Sequence, residues 1–360
     1  MSTRAPRSVD DISPAWLTGA LRASGAIREA AVVGRAIEPI GVGVGFLGQL
    51  ARVRLSYDRP EPGAPASMIA KLPTLDPGGR EICRIFQFYQ REIGFYRDLA
   101  PGFPLRVPRC YHTAMDEAAD EYVILLEDLA ELRMGDDVAG CGAVEAERAV
   151  RTLAQLHSWW WEHPRLAGLA WMPDVNAPVH QFAQPAYAAS LEPFLQLFGD
   201  RLSPKMRGIS EDMRDHVIDL LDATAGAPRT IIHGDFRLDN LFFGRDELAL
   251  IDWQISCRGR GVFDVAYFLS GSVDSALRRA EEMRLLRLWH EIATAGRPGY
   301  SFEEALTDYR RCVLYCNVYT VIATGTLDPA NERGMALFHA WLGRRVAAIE
   351  ELDAGDLMPS

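Results

Sequence analysis

The first third of the chain contains short apolar runs, one of which alternates with polar residues. The alternating run is Leu50–Tyr57, and a Pro- and Gly-rich stretch, Asp58–Ser67, separates it from a second apolar segment, Met68–Leu72. A period of two is typical of half-buried strands, and the intervening stretch is typical of a hairpin loop. Further strands are predicted at residues 31–34, 37–40, 109–114 and 121–126.

Helical spacing of apolar residues appears at both ends of this region and dominates the rest of the chain. It predicts a short helix over 9–24, capped by Asp10 or Ser13, and a long helix over 81–99. Beyond Gly135, helices are predicted at 144–161, 181–198, 211–221 and from Val262 onward. The pattern predicts an α+β fold with a small antiparallel β-rich lobe, residues 1–126, and a larger, mainly helical lobe, residues 127–360.

Composition narrows the class of protein. The 360 residues are 48% apolar and 24% charged, with a formal net charge of -11 and no run of Lys or Arg, so nucleic acid is not an expected partner. No run of about 18 apolar residues is present, and the N-terminus lacks the apolar core of a signal peptide. The six cysteines contain no C-x-x-C pair. We therefore expect reduced thiols in a cytoplasmic protein. A monomer or a homodimer is expected.

One polar loop carries the clearest chemistry. In the segment IIHGDFRLDNLFF, Asp235 is followed by Arg237 and Asn240, and Asp252 follows the next apolar run, Leu248–Ile251. Carboxylate and amide oxygens suit Mg²⁺ better than zinc. Phosphoryl transfer needs one carboxylate to orient the attacking hydroxyl and oxygen ligands to hold the metal. Arg237 is placed to neutralise charge on the phosphoryl group in transit.

These motifs resemble those of a known superfamily. His233-Gly-Asp-x-x-x-x-Asn240 followed by Ile251-Asp-Trp253 is similar to the aminoglycoside phosphotransferase and choline kinase superfamily of small-molecule kinases. Leu126–Leu129, Leu153–Trp160 and Gly261–Phe268 look closest to its ecdysteroid-kinase-like branch. The resemblance implies a bilobal protein-kinase-like fold, ATP and Mg²⁺ as cofactors, and a small-molecule alcohol as the partner.

The resemblance also implies roles in the larger lobe. Asp235 would be the catalytic base, Asn240 and Asp252 would bind Mg²⁺, and Asp264 would hold backbone amides of the catalytic loop. His233 would brace that loop.

In the smaller lobe, the resemblance implies a nucleotide cover. Lys71 matches the strand lysine that contacts the α- and β-phosphates, and Glu92 matches its helix partner, with Glu81 as a competitor. Glu127 and Leu129 match the hinge, whose backbone C=O and N–H would meet the adenine edge.

A glycine-rich stretch, Gly41–Gly48, precedes the strand Leu50–Tyr57. A dinucleotide-binding fingerprint requires a helix to follow, so a strand–loop–strand cover over ATP phosphates fits better. Gly43 and Gly45 are the candidate phosphate contacts, and a plain flexible hairpin is the alternative. No G-x-x-x-x-G-K-[ST] motif is present.

The acceptor remains open at this point. The ecdysteroid-like motifs suggest a bulky apolar alcohol, such as a steroid or another natural product. An aminoglycoside- or choline-like cation would instead need an acidic pocket, for which Asp174 and Asp239 are candidates. A nucleotide-binding pseudokinase is the alternative outside the enzymes. It should lack one of Lys71, Asp235, Asn240 or Asp252, and all four are present.

Overall fold

The chain divides into two compact units, Met1–Leu132 and Arg133–Ser360. The computed structural model describes residues 5–41, 48–325, 327 and 330–359. Gly43 and Gly45, the predicted phosphate contacts, lie outside the described residues. The assignment of 1–126 to a nucleotide cover and of 127–360 to catalysis stays a prediction.

A five-stranded antiparallel sheet forms the body of the first unit, in the order β1-β2-β3-β5-β4. Its strands are β1 (Val32–Ile40), β2 (Gly48–Tyr57), β3 (Ser67–Pro73), β4 (Cys110–Asp116) and β5 (Glu121–Glu127). The two predicted strands at 31–34 and 37–40 are one strand, β1, with an irregular register between Val32 and Gly34. One sheet face packs on the first helix, with buried Leu17 and Leu21 against Val53 and Met68 in the same apolar core.

The helices of the first unit differ in detail from the prediction. They are α1 (Pro14–Ala23), α2 (Pro77–Ile85) and α3 (Phe88–Gly94). The hydroxyl of Ser13 accepts from the N–H of Trp16 and starts α1, while a separate 3₁₀ turn covers Val9–Asp11.

The single helix predicted over 81–99 was wrong. Gln87 adopts a left-handed conformation, φ +56°, which ends α2 and redirects the chain into α3. A π-helical turn, Phe95–Leu99, continues from α3. The helical spacing of apolar residues continues across Gln87, so the sequence pattern does not reveal the break between α2 and α3.

The second unit is mainly helical, with short strands that border the polar loop. Its helices are α4 (Ala143–Trp160), α5 (Ala183–Phe198), α6 (Pro204–Thr224), α7 (Val262–Gly271), α8 (Ser275–Ala293), α9 (Phe302–Thr324) and α10 (Glu332–Glu351). Its strands are β6 (Arg133–Met134), β7 (Thr230–Ile232), β8 (Leu241–Phe243), β9 (Leu248–Leu250) and β10 (Cys257–Gly259). The pairs are β7 with β10, and β8 with β6 and β9.

The helix α7 lies at the centre of the second unit. Every residue from Val262 to Gly271 is buried, and the helix packs against α8, α9 and α10. Because α7 is buried on all sides, its polar side chains are held in fixed positions relative to the segments that they contact. None of the helices in the described part of the chain has the length and apolar character needed to cross a bilayer.

Candidate active site

The polar loop begins where β7 ends, at His233. Gly234 has φ +84°, and a Cβ there would lie 2.8 Å from the carbonyl oxygen of Ile255. Only glycine fits this conformation and this close approach. The N–H groups of His233 and Gly234 donate to the two carboxylate oxygens of Asp264 at 2.7 and 2.9 Å. The geometry therefore agrees with the loop-holding role expected for Asp264.

Asp264 sits in the first turn of α7, where the helix dipole favours a negative charge. Nε2 of His157 lies 3.2 Å from its Oδ2, and Nδ1 of His157 accepts from the indole N–H of Trp289 at 2.8 Å. All these contacts are buried. His157 is thus a core histidine with both ring nitrogens engaged.

His233 braces two segments at once. Its Nε2 contacts the carbonyl of Ile251 at 2.9 Å, and its Nδ1 accepts from the N–H of Asp235 at 3.3 Å. The N–H of Ile251 in turn donates to the carbonyl of Asn240 at 3.1 Å. These bonds bring the segment that carries Asp252 beside the loop that carries Asp235 and Asn240.

The Asp235 carboxylate is held at both oxygens. The hydroxyl of Tyr267 donates to Oδ1 at 2.8 Å, while Nδ2 of Asn240 donates to Oδ2 at 2.9 Å and Nε of Arg237 lies 3.3 Å from it. Burial alone would raise the pKa of Asp235, but Arg237, Tyr267, His233 and Asn240 outweigh it and keep the pKa below its ordinary value. Asp235 is therefore a carboxylate at neutral pH.

Asn240 and Asp252 offer the donors that Mg²⁺ prefers. Nδ2 of Asn240 is used twice, by Oδ2 and by the backbone carbonyl of Asp235, which leaves its Oδ1 as the candidate ligand atom. Asp252 has φ +65°, a strained backbone for a residue other than glycine and of the kind that clusters at functional sites. The described residues hold no group of three or more His, Cys, Asp or Glu side chains placed for a metal. Magnesium commonly uses only one or two protein carboxylates together with substrate phosphates, so the two donors fit.

The first unit contains the predicted lysine–glutamate pair. Nζ of Lys71, on β3, lies 2.7 Å from Oε2 of Glu92, on α3, and both side chains are buried. The competitor Glu81 forms an exposed ion pair with Arg84 three residues later. Glu92 is therefore the partner of Lys71.

The end of β5 is tied down by charge. The carboxylate of Glu127 accepts from Arg106 and from the N–H of Arg109, and these bonds lower its pKa although burial acts to raise it. The N–H of Glu127 donates to the carbonyl of Arg109, and the carbonyl of Leu129 accepts from Leu132. In the predicted hinge, the C=O of Glu127 and the N–H of Leu129 would be the backbone groups that contact the adenine edge.

Comparison with known families decides the class of protein. The ecdysteroid kinase-like family matches residues 42–294, more than half of the chain. The chain belongs to the ecdysteroid kinase-like family. It is a small-molecule kinase, and the sequence-based resemblance is confirmed.

Solved structures show the same fold for this ecdysteroid kinase-like chain. Choline kinase from Cryptosporidium parvum has a TM-score of 0.53 at 11% identity and covers 90% of this chain and 92% of its own. Plasmodium vivax ethanolamine kinase has a TM-score of 0.53 at 12% identity, covering 89% and 84%. A microcompartment-associated aminopropanol kinase has 0.54 at 14%, covering 93% and 98%. The predicted protein-kinase-like fold is confirmed, and at these identities the likeness concerns the fold alone.

Curated relatives of this family member are much longer proteins. Acyl-CoA dehydrogenase family member 11 of Homo sapiens is 27% identical over 188 residues, which are 46% of this chain and 21% of that protein. A probable acyl-CoA dehydrogenase of Arabidopsis thaliana is 41% identical over 68 residues, 18% of this chain and 8% of that protein. The chain spans about a fifth or less of these relatives. We carry no dehydrogenase activity over to it.

The surroundings of Arg237 in this kinase were not foreseen from the sequence. Its guanidinium lies 2.7 Å from Asp239, 3.3 Å from Asp137 and 3.3 Å from Asp235, with the Trp341 ring 5.3 Å from the guanidinium carbon. Burial acts against the charge, but the three carboxylates raise the pKa of Arg237 further above its ordinary value. The predicted approach to Asp235 is present. The role in neutralising a phosphoryl group stays a prediction.

Asp137 and Asp239 clamp two loops together. The carboxylate of Asp137 accepts from the N–H of Leu238 at 3.1 Å, and that of Asp239 accepts from the N–H of Asp137 at 3.0 Å. A Cβ on Gly135 would lie 2.4 Å from the carbonyl oxygen of Leu238, so the contact is backbone against backbone. Sequence reasoning missed Asp137 because its partners lie about a hundred residues away.

Sequence reasoning also missed Tyr267. A signal was available, because Tyr267 falls three residues after Asp264 in the segment Gly261–Phe268, and residues three apart share a helix face. Asp174, one of the two acids considered for a cationic pocket, pairs instead with Arg258 at 3.1 Å and Arg229 at 3.6 Å.

Proposed function

We propose that this chain is an ATP- and Mg²⁺-dependent phosphotransferase that phosphorylates a hydroxyl group of a bulky, apolar small molecule. The observation that supports it most is the ionised Asp235 carboxylate, which is fixed at both oxygens and contacts Asn240, with the segment that carries Asp252 bonded to the same loop through Ile251. The chain's place among small-molecule kinases supplies the reaction class.

Asp235 acts on the acceptor in this proposal. Its carboxylate orients the attacking hydroxyl and takes its proton as the oxygen–phosphorus bond forms. The bond between the γ-phosphorus and the bridging oxygen breaks, and ADP leaves. Asn240 and Asp252 would hold Mg²⁺, which when bound offsets charge on the phosphates. Arg237 would add positive charge beside the base.

Lys71 acts on the nucleotide. Its ammonium group, held by Glu92, would contact the α- and β-phosphates, while Glu127 and Leu129 would present backbone groups to the adenine. Gly43 and Gly45 would contact phosphate. We assign nucleotide covering to the part of the chain before residue 127 and catalysis to the part after it.

An apolar acceptor is favoured by what surrounds Asp235. The partly exposed ring of Tyr319 packs edge-to-face on Tyr267 at 5.5 Å, so aromatic surface borders the residue that touches the base. Asp239, the other acid considered for a cationic pocket, is already paired with Arg237 and lies 3.6 Å from Arg333. A cationic substrate would have to compete with those guanidinium groups.

The test is an ATP-consumption screen. Purified full-length chain is incubated with MgATP and hydroxylated small molecules, from steroids and polyketides to aminoglycosides and choline, and mass spectrometry detects the phosphate adduct. We expect a phosphorylated apolar alcohol, and turnover that stops when EDTA removes the metal. Asp235→Asn and Asp252→Asn should each lower kcat by about 10² to 10⁴.

Asp215→Asn is the matched control. Asp215 is exposed and pairs with the neighbouring Arg214, so the same chemical change there should leave turnover at the wild-type rate. Turnover that survives both Asp235→Asn and Asp252→Asn would contradict the proposal. Selective phosphorylation of choline or an aminoglycoside would contradict the apolar acceptor.

A further inference from the structure

Tyr267 contacts the proposed base from the buried helix α7. Its hydroxyl lies 2.8 Å from Oδ1 of Asp235, and its side chain is almost fully buried. One turn earlier on the same helix, Asp264 binds the N–H groups of His233 and Gly234. The helix thus supports the catalytic loop at two points, the backbone and the carboxylate.

The contact fixes an otherwise free rotation. A carboxylate held at one oxygen can still swing about its Cβ–Cγ bond, because that torsion has broad minima. Asn240 and Arg237 hold Oδ2 and Tyr267 holds Oδ1, so the plane of the Asp235 carboxylate is set from both ends. Burial and the Asp235 charge raise the pKa of Tyr267 well above its ordinary value, so its hydroxyl keeps the proton that it donates.

The phenol ring is itself held in place. The guanidinium of Arg345, fully buried on α10, lies 4.9 Å from the Tyr267 ring centroid and donates to the hydroxyl of Thr320 at 2.7 Å. Tyr319 packs on another part of the ring. A cation against an aromatic face is attracted to it, and more strongly when both are shielded from water. The ring therefore has little freedom to leave Asp235.

We propose that Tyr267 is a positioning residue for phosphoryl transfer, which orients the Asp235 carboxylate toward the acceptor hydroxyl through its hydrogen bond to Oδ1. This inference rests on the proposed role of Asp235 as the base. A reacting group that is misplaced by about 1 Å lowers the rate of the chemical step more than it weakens substrate binding.

The kinetic test compares Tyr267→Phe with Tyr315→Phe. Tyr315 is a buried tyrosine of the same aromatic group, with its ring 5.8 Å from that of Tyr319. With the acceptor found in the screen, or with water as acceptor and phosphate release as the signal, Tyr267→Phe should lower kcat on the order of tenfold to a hundredfold. Its KM for ATP should stay within about twofold of wild type, and Tyr315→Phe should match wild type.

A fluorine probe tests the contact without turnover. 3-Fluorotyrosine is placed at position 267, or at 315 as control, in the full chain, and ¹⁹F NMR spectra are compared with and without Asp235→Asn. We expect the substitution to move the resonance from position 267 and not the one from 315. A resonance at 267 that ignores Asp235→Asn overturns the inference, as does a Tyr267→Phe variant with wild-type kcat.

The two proposals fail in different ways. If Asp235→Asn keeps full turnover, the proposed function of Asp235 fails. If Asp235→Asn is inactive and Tyr267→Phe is fully active, only the role of Tyr267 fails. Phosphotyrosine at position 267 in the peptide mass spectrum of protein incubated with MgATP would mark it as an acceptor and would also overturn the positioning role.

Discussion

The two units stabilise their key charges in different ways. In the first unit, one ammonium, Lys71, meets one carboxylate, Glu92, across a strand and a helix. In the second unit, four carboxylates, of Asp136, Asp137, Asp235 and Asp239, share the guanidinium groups of Arg237 and Arg333. The first arrangement is close to charge-balanced, and the second has an excess of negative charge, which suits a region proposed to receive a cation.

The difference extends to how each group is held. The Lys71–Glu92 contact joins one side chain of β3 to one side chain of α3, and the two can be replaced together. The loop that carries Asp235 depends on α7, on the loop around Asp137 and on α10, each of which contacts it through different atoms. We therefore expect the pair to tolerate a compensating substitution and the loop network to resist one.

Asp264→Asn is expected to have the largest effect. The substitution removes the charge that accepts from two backbone N–H groups and turns one acceptor oxygen into a donor facing an N–H. Because the site is fully buried, we expect a loss of about 4 kcal/mol in the free energy of unfolding, together with loss of turnover. Urea unfolding followed by circular dichroism measures it.

Asp246→Asn is the control for that substitution, since Asp246 is exposed in the turn between β8 and β9. It should leave the urea midpoint unchanged. A stable, active Asp264→Asn variant would mean that the loop does not depend on α7.

Lys71→Met comes next. It leaves the buried Glu92 carboxylate without its lysine, which should cost about 3 kcal/mol of unfolding free energy. The double variant Lys71→Met/Glu92→Leu should recover most of that loss, because a buried ion pair is often replaced by apolar side chains at little cost. Neither variant should turn over ATP, since the proposed phosphate contact is gone.

Urea unfolding of the single and double variants separates the outcomes. A double variant that is as unstable as the single one would show that the pair belongs to a wider network, as Asp235 does, and would remove the contrast between the units.

Sequence reasoning succeeded where the determining interactions are local. Alternation in Leu50–Tyr57 and the loop after it marked β2 and β3, and the short apolar runs around Asp235 marked the strands that border the polar loop. It failed at Gln87, because a single residue in the left-handed conformation separates α2 from α3 without changing the spacing of apolar residues. A pattern reports which face is buried, not every backbone torsion along it.

The supporting residues were hidden for another reason. Asp137 and Trp341 reach Arg237 from segments about a hundred residues away on either side of it, so no local window contains them together. Lys71 and Glu92 are also distant from Asp235 in sequence, yet a family motif marks each of them. Residues that contact a site from distant segments, and that belong to no family motif, can be identified only from the folded structure.

Glu61→Gln is expected to have the smallest effect. It tests whether the number of hydrogen-bond partners or the burial of a charged group determines how much that group stabilises the fold. Glu61 is only half-buried, yet its carboxylate accepts from the N–H groups of Ala30, Arg28 and Glu29. The bond from Ala30, ahead of burial and the other two, lowers the pKa of Glu61 below its ordinary value of 4.5. Its contribution to stability is therefore complete above about pH 4.5 and is lost as the pH falls through the lowered pKa.

Urea midpoints of wild type and Glu61→Gln, measured from pH 7 down to pH 3, test this expectation. The variant should be slightly less stable than wild type at pH 7 and should converge with it in acid, where the wild-type carboxylate is protonated. Glu117→Gln, an exposed change in the turn between β4 and β5, should leave the acid limb unaltered. A loss at pH 7 as large as that of Lys71→Met would mean that partner number, and not burial, determines what a charged group contributes in the first unit.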